Sequence, residues 1–517
     1  MKNLSLFQTV AGIRSYLASD RPRLRLGLVP TMGALHFGHS KLIEKAVAEN
    51  DLVVVSIFIN PLQFSPQEDF ASYPRSLEED CEFCENLGVN AIFAPTIKEM
   101  RADKVGHSIS QVQPPDKMLS VLCAPFRPGH FQGVATIVIK LFNIIAPDVA
   151  YFGEKDAQQL AIIRRLVADL SLPIEIQACP IVRDASGLAF SSRNQYLSDP
   201  EKASAAGMYQ SLKAAKILFQ TGERQCSPLI ETVEKRLSHY PEIKLQYAQL
   251  VDAKTLNPLQ QIEQVGLLVI AAYLGSTRLI DNILLDQRQP IIAIDGPAGA
   301  GKSTITRRIA QELELLYLDT GAMYRAITWM IMKAGVPLDA EAKIAELVSK
   351  ATLELTLTKD GSATQVLIDN EDVTDVIRTP EVTANVSQIS AQKAVRHYLS
   401  QQQRCYGERG GLVAEGRDMG TQIFPEADLK IFLTASVQER AKRRLQDFKF
   451  QGVNNISLEQ LQQDIQRRDE RDSQRSIAPL RKAADAITLN TDNLSIEAVT
   501  NKIIQYYRLC IEHQRLA

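Results

Sequence analysis

The sequence predicts an α/β fold with parallel sheets, and three observations predict it. Strand-like and helix-like segments alternate from early in the chain, the pattern of βαβ units. Two apolar strand patterns run directly into small-residue loops that open helices, Leu24–Val29 before Thr31–His39 and Ile291–Asp295 before Gly296–Ser303. The second loop, within PIIAIDGPAGAGKST at 290–304, matches G-x-x-x-x-G-K-[ST] at Gly296, Gly301, Lys302 and Ser303. That loop begins past the middle of 517 residues. Single cores stop growing near roughly 250–300 residues, so the chain reads as two to four domains.

Composition narrows the class. The chain is 45% hydrophobic and 23% charged, ordinary for a soluble globular protein. A net charge of −2 gives no reason to expect nucleic acid or membrane as a partner. The N-terminal stretch has no sustained apolar core and carries Arg14, so it is a poor signal peptide. The apolar run Val265–Leu274 is far short of the ~20 residues a membrane helix needs. Seven cysteines are scattered without pattern, which suggests reduced thiols and a cytoplasmic protein. Cys81 and Cys84 form C-x-x-C within a helical pattern, but no second pair completes a tetrahedral metal site.

In the first half, Leu24–Val29, a helix over Ser40–Glu49 and the strand Asp51–Ile59 make a βαβ unit. A small-residue turn opening a helix offers free backbone N–H groups and the positive end of a helix dipole, which suits phosphate. His36 and His39 are three apart, on one face at the helix entry, where imidazoles can donate hydrogen bonds as charge shifts. Asn60-Pro-Leu-Gln-Phe64 ends the second strand at the same sheet edge, making Gln63 a candidate for a polar substrate. Arg127-Pro-Gly-His130 precedes a long apolar helix. Strand Val149–Phe152 leads to Lys155 and to a helix with Gln158 and Gln159. Lys155 suits a phosphate as a point charge. Ile174–Cys179 is strand-like, and Ser191-Ser-Arg-Asn194 forms a hydroxyl- and arginine-rich turn.

Five motifs, in this order, resemble pantothenate synthetase (pantoate–β-alanine ligase): PTMGALHxGH at 30–39, NPLQF at 60–64, RPGHF at 127–131, FGxKD at 152–156 and SSRN at 191–194. VDAKTL at 251–256 and TRLIDN at 277–282 are similar to that family's smaller C-terminal part. The resemblance covers residues 1–283. It implies a Rossmann-like nucleotidyltransferase-type domain over about 1–185 and a small α+β domain over about 186–283. It implies that pantoate attacks the α-phosphate of ATP, giving pantoyl adenylate and pyrophosphate, and that β-alanine then displaces AMP. ATP would be bound by Met32, Gly33, Ala34, Leu35, His36, Phe37, Gly38 and His39, with His39 as proton donor. Lys155 and Arg193 would neutralise the triphosphate, and Ser191 and Ser192 would add hydrogen bonds. Gly153 and Asp156 would face the ribose and the Val182 backbone the adenine, with Glu154 and Phe190 completing the ATP set. Gln63 and Gln159, with Asn60 beside them, would hold pantoate, Gln63 also lying near β-alanine. Mg²⁺ would bridge phosphates, and a homodimer through this half is implied. A nucleotidyltransferase with another acceptor shares the H-x-G-H loop and stays open as an alternative; the paired glutamines favour a small polyol-like group.

The junction 284–289 is short and not Gly/Ser-rich, so the halves are expected to lie close with limited independent swing. After it, Gly296, Gly299 and Gly301 shape the phosphate loop, Lys302 reaches the β/γ-phosphates and Ser303 can ligate Mg²⁺, with Thr304 beside it. The helix runs from Lys302 towards Glu314, strand Leu315–Leu318 follows, and Arg325 is read at the start of the next helix. Residues 351–369 alternate as a hairpin turning at Asp360-Gly361, a small β insertion. A helical pattern runs from Pro380 to about Tyr406, with strands at Leu412–Ala414 and Leu429–Leu433. Arg440, Arg443, Arg444, Arg467, Arg468, Arg471 and Arg475 read either as a solvated helix pair or as a lid; charge neutralisation in phosphoryl transfer favours the lid. No Walker-B acid is evident.

LDxGAMYR at 318–325, EGRDMGT at 415–421 and RDERD at 468–472 resemble cytidylate kinase, across residues 284–517. The resemblance implies a P-loop nucleoside monophosphate kinase domain with a β insertion and lid, phosphorylating CMP or dCMP from ATP. Ser387, Arg396 and Asp418 would read the cytosine. Arg325, Arg417, Arg468 and Arg475 would hold the CMP phosphate or the transferring group, with Asp319 and Asp472 facing the nucleoside. A rival from another class is that one half is a degenerate regulatory module, against which His36, His39, Lys155, Lys302 and Arg325 all stand intact.

Overall fold

The computed structural model describes residues 4–20, 24–65, 70–102, 109–357, 364–450, 457–473 and 479–516. The chain divides into two compact units, Met1–Gln287 and Arg288–Ala517.

Unit 1 begins with β1 (Ser5–Phe7), α1 (Val10–Asp20), β2 (Leu26–Thr31), α2 (Phe37–Glu49), β3 (Leu52–Ile57), α3 (Leu77–Asn86) and β4 (Ala91–Phe93). It continues with α4 (His130–Ile145), β5 (Val149–Gly153), α5 (Ala157–Asp169) and β6 (Glu175–Cys179). The six strands form a parallel sheet in the order β1-β4-β3-β2-β5-β6. Alternate strand residues enter two different cores. Leu28, Val54, Phe93 and Phe152 pack against α1, α4 and α5, whereas Val29, Val55, Ile92 and Tyr151 pack with residues of α2 and α3. A sheet covered on both faces explains why β3 reads as a continuous apolar run. The expected strands are present, with ends shifted by at most two residues. A smaller layer follows: α6 (Asp199–Gln220), α7 (Cys226–Leu237) and an antiparallel sheet of β7 (Ile243–Val251), β8 (Val265–Leu274) and β9 (Thr277–Asp286). Strand β9 runs on past residue 283, where the sequence reading ends the first domain.

Unit 2 starts with β10 (Gln289–Asp295), α8 (Lys302–Glu312), β11 (Leu316–Asp319), α9 (Thr320–Lys333) and α10 (Glu341–Val348). Strands β12 (Leu353–Leu357), β13 (Thr364–Ile368) and β14 (Glu371–Asp372) make the antiparallel insertion; its expected turn at Asp360-Gly361 lies outside the described residues. The continuous helix expected from Pro380 to Tyr406 is instead two, α11 (Pro380–Ile389) and α12 (Lys393–Glu408). Gln392 takes an extended backbone and starts the second, its side chain donating to Leu338 O. Then come β15 (Gly410–Gly416), β16 (Leu429–Thr434), α13 (Val437–Phe450), α14 (Leu458–Ser473), β17 (Ile487–Asn490) and α15 (Ile496–Leu516). The parallel sheet has the order β11-β15-β10-β16-β17, with the phosphate-loop strand β10 in the middle. Ile291 and Ala293 face one core and Ile292 and Ile294 the other. All seven cysteines are free, and among the described residues no helix is long and apolar enough to cross a membrane.

Candidate functional sites

In unit 1 the strand order reverses between β2 and β5, and residues at their carboxyl ends line a cavity of about 270 Å³. Open α/β sheets take ligands at such a crevice. The cavity gathers Met32, His36, Gly38 and His39 with Asn60, Gln63, Gly153, Lys155, Asp156 and Gln159. Val182, Phe190, Ser191, Ser192 and Arg193 complete its lining among the expected residues. Gly33, Ala34, Leu35, Phe37 and Glu154 do not line it.

Asp80 explains the loop residues. This buried carboxylate on α3 accepts from the N–H of Ala34 at 3.0 Å and of Leu35 at 2.7 Å. It holds a turn in which Gly33 and Ala34 both have positive φ, +83° and +50°. The expectation of free N–H groups at Ala34 and Leu35 is thereby corrected: a protein anion already takes them. Phe37 is 51% exposed; its ring meets Phe190 edge-on and lies under the Lys41 ammonium.

Helix α2 starts at Phe37, earlier than the pattern suggests, with His36 as its N-cap. His36 Nδ1 accepts from Gly38 N–H at 3.1 Å, and His39 Nδ1 accepts from His36 N–H at 3.3 Å. This is a capping box built from two imidazoles. The hydrogen bonds fix the tautomer: with Nδ1 accepting, each neutral ring carries its proton on Nε2. Burial and then Lys155 lower His36 to about 4. Burial, His36 and Lys155 lower His39 to about 3. At neutral pH each ring is therefore neutral and offers an Nε2–H hydrogen bond. A side chain at position 38 would start 2.9 Å from the His36 ring, so the H-x-G-H glycine makes room for the cap.

Gln63 is held from several sides. Asn60 is 2% exposed; its Nδ2 donates to Gln63 Oε1 at 3.1 Å and to Gly133 O at 3.0 Å, and its Oδ1 accepts from Leu62 N–H. Asn60 thus orients Gln63, a use the sequence did not reveal. Of the adjacent glutamines, Gln159 lines the cavity, while Gln158 is buried and bonded to the backbone of Met118, Val121 and Cys123. Ser192 donates to Ala34 O at 3.3 Å, Ser191 caps the following turn, and the Val182 carbonyl accepts from Phe190 N–H.

Several residues without an assigned role join the site. His130 Nδ1 donates to Gln63 O at 2.7 Å and its Nε2 accepts from Arg127 at 3.1 Å; burial and then Arg127 lower it to about 3. Arg127 and Arg278 line the cavity as further cations. Asn282 Nδ2 donates to the carbonyls of Glu154 and Lys155, each at 3.0 Å. The smaller layer therefore fixes the Lys155 turn, which accounts for the TRLIDN motif.

In unit 2 the loop after β10 lies against β16. Gly296 has φ +151°, and a Cβ there would fall 2.2 Å from Leu433 O, so only glycine fits. Gly301, left-handed, is the N-cap of α8 and provides no side-chain cap. Lys302 Nζ donates to Gly296 O at 2.7 Å and Pro297 O at 2.8 Å. Burial and then Arg417 lower Lys302 to about 8, with Arg468 acting in the same direction, so these cations converge. Ser303 Oγ donates to Glu415 Oε2 at 2.9 Å, and Tyr317 OH donates to the other oxygen. Burial and then Asp319 raise Glu415. Glu415 is thus the acid beside the loop serine that the sequence reading did not find; its signal was its place at the end of a strand neighbouring β10.

Asp319 caps α9, accepting from Ala322 N–H at 2.8 Å, and pairs with Arg325 at 3.5 Å. Arg325 stands in the second turn of α9 rather than at its start, and its Nε has no hydrogen-bond partner. Arg396 and Asp418, expected as a base-reading pair, form a buried ion pair. Arg417 pairs with Asp472. Ser387 is exposed on α11, Thr304 is exposed on α8, and Arg475 lies outside the described residues. Two expected lid arginines are packed instead. Arg440 is 3% exposed and pairs with Asp469, while Arg443 donates to Thr491 and Glu439. Arg467, Arg468 and Arg471 are exposed on α14.

Comparison with known proteins agrees with this division. The family model for Pantoate-beta-alanine ligase matches residues 5–284, and that for Cytidylate kinase matches residues 292–509. A bifunctional pantoate ligase/cytidylate kinase of Trichormus variabilis is 54% identical over 98% of this chain and 99% of its own. The Synechocystis protein of the same description is 55% identical over the same shares. The solved pantothenate synthetase of Thermus thermophilus is 41% identical, with a TM-score of 0.51, covering 54% of this chain and 98% of its own. The chain belongs to the bifunctional pantoate ligase/cytidylate kinases, enzymes that join pantoate to β-alanine with ATP in one half and phosphorylate cytidylate in the other.

Proposed function

We propose that unit 1 works through an adenylate and that the cavity between β2 and β5 holds both of its steps. The pantoate carboxylate oxygen attacks the α-phosphorus of ATP, and the bond to the pyrophosphate oxygen breaks. The β-alanine amine then attacks the acyl carbon of pantoyl adenylate, loses a proton, and AMP leaves. The observation that carries this reading is the convergence of two neutral Nε2–H donors with Lys155 and Arg193 on one cavity that also holds Gln63 and Gln159. Donors fixed before reaction stabilise charge developing on the phosphorus oxygens without reorganisation. Lys155 and Arg193 neutralise the leaving pyrophosphate, Ser191 and Ser192 add hydrogen bonds, and Gly153, Asp156 and Val182 take the nucleoside. Neutral amides at Gln63 and Gln159 hold pantoate without adding a competing nucleophile.

In unit 2, Gly296–Thr304 cradles the donor phosphates, and Arg325, Arg417 and Arg468 receive the CMP phosphate. The unpartnered Arg325 Nε supports this. Arg396 and Asp418, already paired, present a donor and an acceptor to cytosine, whose edge offers both. Ser303 Oγ and the Glu415 carboxylate, 2.9 Å apart, are hard oxygen donors of the kind Mg²⁺ takes, and they fit it; when bound, Mg²⁺ supplies charge neutralisation on the phosphates. We assign dCMP as a second acceptor, a homodimer through unit 1 and a cytoplasmic location as expectations of the same reading.

The test is a two-product assay on the intact chain. With ATP, pantoate and β-alanine it should release AMP, and a hydroxylamine trap should give pantoyl hydroxamate. AMP release without any trapped acyl group would sink the adenylate route.

A further inference from the structure

Helix α14 carries Asp469 and Asp472, three residues apart and so on one face. Asp469 receives Arg440 Nη1 at 3.0 Å and Nη2 at 2.5 Å. The same guanidinium donates from Nη1 to Ala298 O in the phosphate loop at 3.1 Å and from Nε to Ala435 O at 3.0 Å. Arg440 also packs on the loop's own backbone: a Cβ on Gly299 would meet its Cβ at 3.3 Å. On the other side, Asp472 pairs with Arg417, which follows β15. One helix is therefore tied to the donor loop through one carboxylate and to the acceptor arginine through the next.

We propose that Asp469, acting through Arg440, is a positioning residue that couples occupancy of the phosphate loop to the geometry of the acceptor site, so that ATP and CMP bind cooperatively. A bidentate guanidinium–carboxylate pair has a fixed planar geometry. With Arg440 buried and Asp469 half-buried, the pair transmits a shift of Ala298 to α14 through its fixed fork. Helix α14 then carries the shift to Arg417 through Asp472. The proposal rests on the reading that Arg417 and Asp472 hold the acceptor nucleotide.

The test measures CMP affinity of the full-length chain by calorimetry, with and without a non-hydrolysable ATP analogue. In the unaltered chain the analogue should tighten CMP binding about fivefold or more, within the usual range of coupling between sites. In Asp469→Asn that ratio should fall to within about twofold of one, while CMP affinity without the analogue stays unchanged. Arg440→Lys, which keeps the charge and loses the fork, should do the same. Equal CMP affinity with and without the analogue in the unaltered chain overturns the proposal, as does a full ratio in Asp469→Asn. Loss of CMP binding by Asp469→Asn even without analogue, with ATP-analogue binding intact, also overturns it, since Asp469 would then be part of the acceptor site. Arg417→Ala tests the underlying reading separately: unchanged CMP affinity there removes the acceptor assignment, whatever the ratio.

Discussion

Two helix N-termini on this chain are proposed to face nucleotide phosphates, and they differ in what satisfies their first N–H groups. At α8 the N-cap is Gly301, which has no side chain to offer, so the groups at the start of the helix are left for a ligand. At α2 the N-cap is His36, and it and His39 close the end of the helix on itself. The loop before α2 is closed as well, by Asp80. A P-loop thus presents backbone and adds one lysine. The H-x-G-H loop uses up backbone to hold two imidazoles, and the imidazoles present Nε2–H. The same element, a strand running into a helix, has no side-chain cap in one unit and serves as a mount for side chains in the other.

The largest expected effect follows from that contrast. Lys302→Ala should lower CDP formation by about 10³-fold, the loss expected when a preorganised charge on a transferring phosphoryl group is removed. AMP release by unit 1 should stay within roughly twofold of the unaltered chain. Parallel loss of both activities would mean that the units do not act as separate enzymes. Next, His39→Ala should lower AMP release by about 10²–10³-fold, as removal of one fixed donor does, with CDP formation kept.

The histidines also set a pH dependence. Their values in the fold, about 4 and about 3, lie below the ordinary value, so the neutral rings persist throughout the range above about pH 5. The ligase rate should show no histidine limb between about pH 5 and 8 and should fall only as pH drops towards about 4. A limb centred near roughly 6.5, the ordinary histidine value, and absent from His39→Gln, would show that an imidazolium does the work. For Lys302, lowered to about 8, the charged form is lost as pH rises. ATP affinity of the kinase should therefore weaken above about pH 8 while the ligase does not follow.

What was legible in the sequence was what is local. Strands β2, β3, β5 and β10 and the loops after them were readable because apolar runs and small-residue turns are contiguous. The cavity residues His36, His39 and Lys155 stand at such junctions, and Ser191–Arg193 in the longer connection between β6 and α6. Residues that act from a distance were not. Asp80 is 45 positions from Leu35 and sits in an acidic helical pattern that reads as a solvated face. Gln158 and Gln159 are the same residue type, and only the phase of α5 sends one into the core and the other into the cavity. Arg440 and Arg443 look like neighbours of Arg467 and Arg471 in charge, yet the first pair packs against the phosphate loop and Thr491. The break between α11 and α12 involves neither glycine nor proline, and a buried glutamine bonded to Leu338 supplies the signal instead.

Asp80 offers the next test of how the first loop is built. In Asp80→Asn one side-chain atom becomes a donor and faces a backbone N–H, leaving a buried donor unpaired at a cost of about 1–3 kcal/mol. The loop responds, because Ala34, a non-glycine residue at φ +50°, donates its N–H to that carboxylate. AMP release should fall about tenfold or somewhat more, mainly through a raised KM for ATP, with CDP formation as the internal control. Asp80→Glu, which retains the acceptors on a longer stem, should recover part of the loss. An unaltered KM for ATP in Asp80→Asn would show that the histidine cap alone holds the loop.

The smallest effect concerns the acceptor end of the same cavity. Gly133 lies in α4 against the turn that bears Gln63, and a Cβ there would come within 2.5 Å of the Leu62 carbonyl carbon. The clash is with backbone, so the turn moves and not a side-chain tip. Asn60 bonds both Gly133 O and Gln63, so the displacement reaches the amide expected to hold pantoate. Gly133→Ala should raise the KM for pantoate several-fold, consistent with overpacking of about 1–3 kcal/mol shared with relaxation of the turn. The KM for ATP should change little, since Lys155 is held from the opposite side by Asn282. If ATP and pantoate constants rise together, the two ends of the cavity are one mechanical element, and the separate supports from Asp80, Asn60 and Asn282 do not act independently.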